Sequence, residues 1–293
     1  MSPTNGIVNV ASVPHRSPFR YPGGKTWLVP YVRRWLASLR QRPAEFVEPF
    51  AGGGIVGLSA IFDDSVDSAT LVELDPGVGA VWSVIALGDG PKLAQRIEAF
   101  DVTRENVQAV LERRPRTKLD RAFACIVRNR MQRGGIMAPG ASLMNAGENG
   151  RGLSSRWYPA TLKRRLLDLH ELRDRLRFFA GDGIAYLQQI ALRDDVACFI
   201  DPPYTVAGRR LYAHSELDHE SLFAAAAQLR GPFLMTYDDA PAVRDLAQRF
   251  GLDWTLLPMK NAHHALRMEL AIGRNLPSAE VATPSGEAGD RPA

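Results

Sequence analysis

A rhythm constrains this chain more than any single residue. Short apolar runs of strand length alternate with stretches whose apolar residues recur at helical spacing. WLVPYVRRWLASL (27–39) has the helical period, EFVEPF (45–50) reads as a strand and GIVGLSAIF (54–62) as a helix. TLVELD (70–75) is again strand-like and GVGAVWSVIAL (77–87) helical. RFFAG (177–181), VACFID (196–201) and PFLMTY (232–237) continue as strands with helical stretches between them. WTLLPM (254–259) and ALRMELAIG (265–273) read as a closing hairpin. Parallel neighbours need a crossover connection, which a helix supplies. The pattern therefore predicts an α/β fold: a mainly parallel sheet with helices on both faces.

The middle of the chain breaks that rhythm. Residues 103–130 and 159–176 read as helical and arginine-rich, and 131–157 as a long glycine-rich loop. Residues 101–180 hold 17 Lys/Arg against 8 Asp/Glu, a net charge of +9, while the rest of the chain carries −5. A basic segment in an otherwise acidic chain is the electrostatic footprint of a polyanion partner, here nucleic acid. The expected organisation is a catalytic body over 17–100 and 179–275, an inserted basic subdomain over 101–178, and disordered tails over 1–16 and 276–293.

Several classes are excluded at this stage. No stretch approaches the length of an apolar membrane span, and the first residues lack the apolar core of a signal peptide. Cys125 and Cys198 are far apart and match neither a disulfide framework nor zinc-ligand spacing, so no metal is expected. A reducing cytoplasm fits.

Two stretches carry chemistry. In CFIDPPYTVAG (198–208) an apolar strand runs straight into Asp201, Pro202, Pro203 and Tyr204. Proline has no N–H to continue a central strand, so Asp201 stands at a rigid corner. In an open α/β sheet, ligands bind outside the carboxyl ends of the strands. A strand-ending turn with a solvated Asp is the plainer alternative. In FVEPFAGGGIVGL, Gly52, Gly54 and Gly57 have the spacing of a nucleotide-binding turn between strand and helix. Glu73 ends the next strand, where an acid can accept from both ribose hydroxyls or simply meet solvent. Glu48, just ahead of the glycines, would repel a pyrophosphate. It suits a positively charged cofactor such as S-adenosyl-L-methionine, with its ammonium and sulfonium groups. FRYPGGKTWL (19–28) is a second glycine turn before a helix, with Tyr21 before it and Lys25 after. Lys25 can meet a carboxylate, a phosphate or solvent.

RYPGGK, FVEPFAGGG, VELDP and DPPY, in that order, resemble the Dam-type (α-class) adenine-specific DNA methyltransferases over about residues 17–275. The resemblance implies a Rossmann-like S-adenosylmethionine-dependent methyltransferase sheet with an inserted, mainly helical target-recognition subdomain. It implies that Tyr21, Lys25, Phe50, Gly52, Gly54, Glu73 and Asp182 border the cofactor, beside Glu48. Asp182 also fits a helix N-cap. Asp201 to Tyr204 would hold the target base. Arg113, Arg114, Arg116, Arg128, Arg130 and Arg133 become candidates for phosphate or base contacts, with Arg128, Arg130 and Arg133 nearest the family's recognition loop. RNRMQRGGIMAPG keeps only a loose likeness to that loop, so no recognition sequence carries over. The implied partner is double-stranded DNA, met by a monomer; a cognate restriction enzyme stays open.

The chemistry follows from the corner. The exocyclic nitrogen of adenine is a poor nucleophile, because its lone pair is delocalised into the ring. Asp201 and the Pro202 carbonyl can accept its N–H bonds and stabilise the positive charge that develops. Tyr204 would stack on a base removed from the duplex. Methylation at carbon 5 of cytosine needs a cysteine after a proline; Cys125 and Cys198 each follow alanine, which excludes it. Cytosine-N(4) and RNA adenine remain neighbouring alternatives. An NAD-dependent dehydrogenase would explain the glycines and Glu73 but neither DPPY nor RYPGGK. A non-catalytic DNA-binding protein on the same fold is opposed by the intact Asp201 and Tyr204.

Overall fold

The computed structural model describes residues 10–20, 24–133, 137, 142–144, 152–203, 217–260 and 266–277. Its centre is a seven-stranded sheet built from β1 (Glu45–Glu48), β2 (Ser68–Glu73), β3 (Leu176–Ala180), β4 (Val196–Ile200), β5 (Phe233–Asp238), β6 (Asp253–Lys260) and β7 (Leu266–Gly273). The spatial order is β3-β2-β1-β4-β5-β7-β6. The first five strands are mutually parallel, and β7 runs antiparallel to both β5 and β6. β1 is the pivot: Val47 pairs with Thr70 of β2 on one side and with Cys198 of β4 on the other. The chain order reverses there, so a crevice opens at the carboxyl ends of β1 and β4. This is the mainly parallel α/β sheet that the strand–helix rhythm predicts, in the Rossmann-like form that the resemblance implies.

The helices are α1 (Val29–Ser38), α2 (Ile55–Phe62), α3 (Pro76–Ala86), α4 (Gly90–Glu98), α5 (Arg104–Glu112), α6 (Lys118–Met131), α7 (Pro159–Glu171), α8 (Gly183–Ile190), α9 (His219–Gln228) and α10 (Pro241–Arg249). Alternation along the central strands splits the core in two. Phe46, Ala197 and Phe199 join Trp35, Leu58, Trp82, Phe123 and Leu166 on one face. Val47, Cys198 and Ile200 join Leu187, Phe223, Met235 and Ala247 on the other. Successive side chains of a strand point to opposite faces, so a strand covered on both sides must be apolar throughout. VACFI of β4 is buried at all five positions.

The basic middle continues the first of these cores. Val107, Phe123, Ile126 and Leu162 belong to the same buried cluster as Phe46 and Trp82, and α6 packs along α3. The helical stretch expected over 103–130 is two helices, because Pro115 cannot continue α5. Thr117 then restarts the chain with a capping box: its hydroxyl accepts from the Asp120 N–H and the Asp120 carboxylate from the Thr117 N–H. Residues 90–98, which the sequence reading leaves unassigned, form α4, with Gly90 and Pro91 in its first turn; it packs on α7. The amino-terminal tail expected over 1–16 is docked from Val13 on. Val13 and Phe19 are buried, and the Phe19 ring lies 5.7 Å from that of Trp82. Tyr21, Tyr204, and most of the 131–157 stretch and of both tails lie outside the described residues.

Candidate functional site

The corner forms where expected. β4 ends at Ile200, and Asp201, Pro202 and Pro203 follow at the carboxyl edge of the sheet, beside the end of β1. Among the described residues, Thr236 and Lys25 hold Asp201 Oδ1. Thr236, from β5, donates its hydroxyl over 2.8 Å, and the Lys25 ammonium stands 3.2 Å away. Lys25 opens a single 3₁₀ turn that leads into α1, and it is 4% exposed. Its second partner is Glu269 of β7, with Nζ at 3.4 Å from Oε1 and 3.2 Å from Oε2. Burial alone would depress the lysine pKa; Asp201 and Glu269 outweigh it and hold the pKa above its ordinary value. Burial pushes the Glu269 carboxyl up to about 7, against the pull of Lys25. Next to Thr236, Tyr237 meets His219 Nδ1 over 2.7 Å, and burial together with the Asp201 charge pushes its phenol far up.

The glycine turn lies at the end of β1. Gly54 has φ +61, and a Cβ there would stand 3.0 Å from Leu71 and 3.1 Å from the Trp82 ring, so only glycine fits. The Trp82 indole N–H donates to the Gly52 carbonyl over 2.9 Å and pins the turn to α3. Glu48 lies beneath the turn, 4% exposed, and accepts a short hydrogen bond from the Gly57 N–H. Burial pushes its carboxyl up to about 8; the Gly57 bond opposes the shift and the Asp201 charge adds to it. Glu73 accepts from the Gly52 N–H over 2.9 Å and from the Asp75 N–H over 2.8 Å. Burial raises its pKa against those two bonds. Half-buried Phe50 packs next to Gly183, where an added Cβ would fall 2.2 Å from the Pro49 carbonyl. Strand β1 and the start of α8 thus meet backbone to backbone. Asp182 caps α8, accepting from the Ala185 N–H over 2.8 Å.

The sequence-predicted residues therefore gather along one edge. Lys25 and Asp201 are in contact; Glu48 and Asp201 feel each other's charge; Glu73 holds the turn that contains Gly52. Acids stand at or just past the carboxyl ends of four consecutive strands: Glu73, Glu48 and Asp201 with Asp182 after β3. Such an edge suits a cationic, hydroxyl-rich ligand, which would favour the ionised forms of these acids, over a phosphorylated one. Among the described residues no cluster of His, Cys, Asp and Glu has the arrangement of a metal site. No described helix is long and apolar enough to cross a membrane.

Three residues of the site escape the sequence reading: Glu269, Thr236 and Trp82. Glu269 left one signal, an acid inside the apolar run LRMELAIG. Thr236 and Trp82 left none, since both suit a strand or a core equally well. Among the arginines expected to meet nucleic acid, Arg113, Arg114, Arg116 and Arg133 are exposed and Arg128 is half-buried. Arg130 departs from the expectation of an open contact. It is 3% exposed, because its guanidinium turns inward and donates to the Pro18 carbonyl.

No family model and no curated protein matches the sequence. Among solved structures, the chain is similar to a proposed RNA methyltransferase from Pyrococcus horikoshii, at 13% identity over 87% of this chain and 84% of that one, with a TM-score of 0.40. It is similar to a proposed methyltransferase from Escherichia coli, at 15% identity over 84% and 85% of the two chains, TM-score 0.33. A third is the precorrin-6y C5,15-methyltransferase of Geobacter metallireducens, at 9% identity over 87% and 91%, TM-score 0.37. At these values substrate and reaction have to be argued from the chain's own residues.

Proposed function

We propose that this chain transfers a methyl group from S-adenosylmethionine to the exocyclic amino group of adenine in DNA. The observation that carries the reading is the Asp201 carboxylate. It is held by Thr236 and Lys25 at the rigid Pro202–Pro203 corner, at the point where the strand order reverses beside the glycine turn.

The residues at the edge suit the cofactor. Glu48 would face its ammonium, Glu73 its ribose hydroxyls, and the Gly52–Gly54 turn leaves room for close backbone approach. Phe50 and Asp182 flank the same edge. A dinucleotide suits it poorly, because a pyrophosphate needs free N–H groups at a helix N-terminus. Here the Gly57 N–H is taken by Glu48, whose carboxylate would repel phosphate. When bound, S-adenosylmethionine supplies the activated methyl group.

The chain's own residues prepare the nucleophile. Asp201 and the Pro202 carbonyl accept the N–H bonds of the target amino group and draw its lone pair out of the ring. As the nitrogen becomes positive, the fixed carboxylate stabilises it without rearranging. Lys25 keeps Asp201 in place and, through Glu269, is itself fixed. Tyr204, next in sequence after Pro203, would stack on an extruded base. The net charge of +9 over 101–180 supports a nucleic-acid substrate.

The test is methylation-sensitive long-read sequencing of DNA from a methylation-free host expressing the chain, beside Asp201→Ala. Loss of one such preorganised acceptor costs about 100-fold or more in rate, so the variant should leave the DNA essentially unmodified. Methylated adenines within one repeated motif are expected. Modified cytosines would shift the target to cytosine N(4). Unmodified DNA with intact S-adenosylmethionine binding would move the substrate to RNA, and absence of that binding would end the reading.

A further inference from the structure

Cations from four stretches of the chain converge where the amino-terminal segment crosses α6 and α7. Arg130 lies at the bottom, 3% exposed. Around it stand half-buried Arg165 of α7, half-buried Arg156 just before α7 and exposed Arg20, the first residue of RYPGGK, with the His15 imidazole beside them. The two deepest guanidiniums, Arg130 and Arg165, meet neutral acceptors. Arg130 donates to the Pro18 carbonyl, and Arg165 donates to the Ser17 carbonyl over 3.1 Å. Among the described residues no carboxylate pairs with Arg130 or Arg165, and the Nε of each is buried without a hydrogen-bond partner.

Such an arrangement is incomplete as it stands. Burial, then Arg165, Arg20 and Arg156, push the Arg130 pKa down to about 9. Burial, then Arg165 and Arg130, push His15 down to about 4. A carbonyl satisfies a donor but does not neutralise a charge, and an uncompensated buried cation is costly. A planar guanidinium with an unsatisfied N–H is matched in shape by a carboxylate or a phosphate. Asn129 also ties the cluster to the amino-terminal segment. Asn129, adjacent to Arg130, takes both backbone groups of Arg20: it accepts from the N–H over 2.9 Å and donates to the carbonyl over 2.8 Å. Arg20 shortly precedes Lys25, which meets Asp201.

We propose that Arg20, Arg130, Arg156 and Arg165 form a subsite for a phosphodiester group of the nucleic-acid substrate. This rests on the reading that the chain acts on nucleic acid. A backbone phosphate bound there positions the strand and carries no sequence information.

The test uses the full chain and a fluorescein-labelled DNA duplex, with affinity followed by anisotropy across a salt series. Arg156→Gln and Arg165→Gln should each weaken binding by about tenfold and lower the salt slope by about one. Arg249→Gln, in α10 on the opposite face of the sheet, should change neither. Inorganic phosphate should raise the melting temperature of the parent chain above that in chloride at equal ionic strength, and should not do so for Arg165→Gln. Unchanged duplex affinity in both cluster variants overturns the proposal. If phosphate still protects the parent in that case, the site takes a free anion and not a nucleic-acid backbone. Failure of the methyl-transfer reading shows separately, as a chain that binds the duplex through the cluster yet binds no S-adenosylmethionine.

Discussion

Glu269 Oε2 lies 3.2 Å from the Lys25 ammonium, and the same ammonium lies 3.2 Å from Asp201 Oδ1. One cation thus serves two carboxylates, and the protonation state of Glu269 decides how much of its field falls on Asp201. Burial holds the Glu269 pKa at about 7, above its unfolded value. Below that pH Glu269 is neutral, and the lysine charge weakens Asp201 as an acceptor. Above it the ionised Glu269 draws that charge away. Methyl transfer should therefore rise with pH through about 7 on this account. Glu269→Gln should stay at the low-pH level, about tenfold below the parent at pH 8, without that limb. A pH–rate profile checks it; a variant retaining the limb would show that Glu269 only packs.

Glu48 makes a second pH-dependent prediction. Its folded pKa of about 8 is raised by burial, so its stability contribution is fully present below the unfolded carboxylate pKa and is lost as pH rises through about 8. A cationic ligand reverses that preference by favouring the ionised form. S-adenosylmethionine binding should then release a proton near neutral pH. Affinity should strengthen between pH 6 and 7.5 by up to about tenfold per unit. Calorimetry in buffers of different ionisation enthalpy counts the proton. Glu48→Gln should abolish both the release and the pH slope; a slope that survives would place the ammonium elsewhere.

The positions of the strands and of most helices were legible because they rest on periodicity, and periodicity is local. EFVEPF, TLVELD and VACFID could be assigned from their own residues, as could the corner at Asp201, where proline excludes a strand. Glu269 could not be placed, because its role depends on β7 inserting between β5 and β6, a pairing that no local pattern encodes. Trp82 was hidden for the same reason. Its spacing marks a buried helix face, while its indole bond to Gly52 depends on how α3 sits against the turn after β1. The inward turn of Arg130 was illegible in a run of arginines that otherwise reads as surface.

Trp82 can be tested through that bond. Trp82→Phe keeps most of the buried ring and removes the donor to the Gly52 carbonyl. An unsatisfied buried carbonyl costs about 1–3 kcal/mol, which a lower denaturation midpoint should register. The same glycine presents its N–H to Glu73, so loosening the turn also releases the acid assigned to the ribose. The KM for S-adenosylmethionine should rise while kcat at saturation changes little. A fall in kcat with unchanged KM would mean the turn serves the target base and not the cofactor.

Asp182 stands at two places at once, as the cap of α8 and beside the proposed cofactor edge, and two substitutions separate the roles. The side chain accepts from the Ala185 N–H. Asp182→Ala removes that cap and should lower stability by about 1 kcal/mol, while Asp182→Ser keeps a capping oxygen and should restore most of it. If capping is all Asp182 does, serine also restores S-adenosylmethionine affinity, because α8 then starts where Gly183 meets the Pro49 carbonyl and the glycine turn keeps its support. If the carboxylate itself meets the cofactor, the serine variant is as stable as the parent yet binds S-adenosylmethionine about tenfold or more weakly, the loss expected for a charged hydrogen bond. Melting temperature and calorimetric affinity measured on the same two variants distinguish these, and the expected result is the second: restored stability with weakened binding.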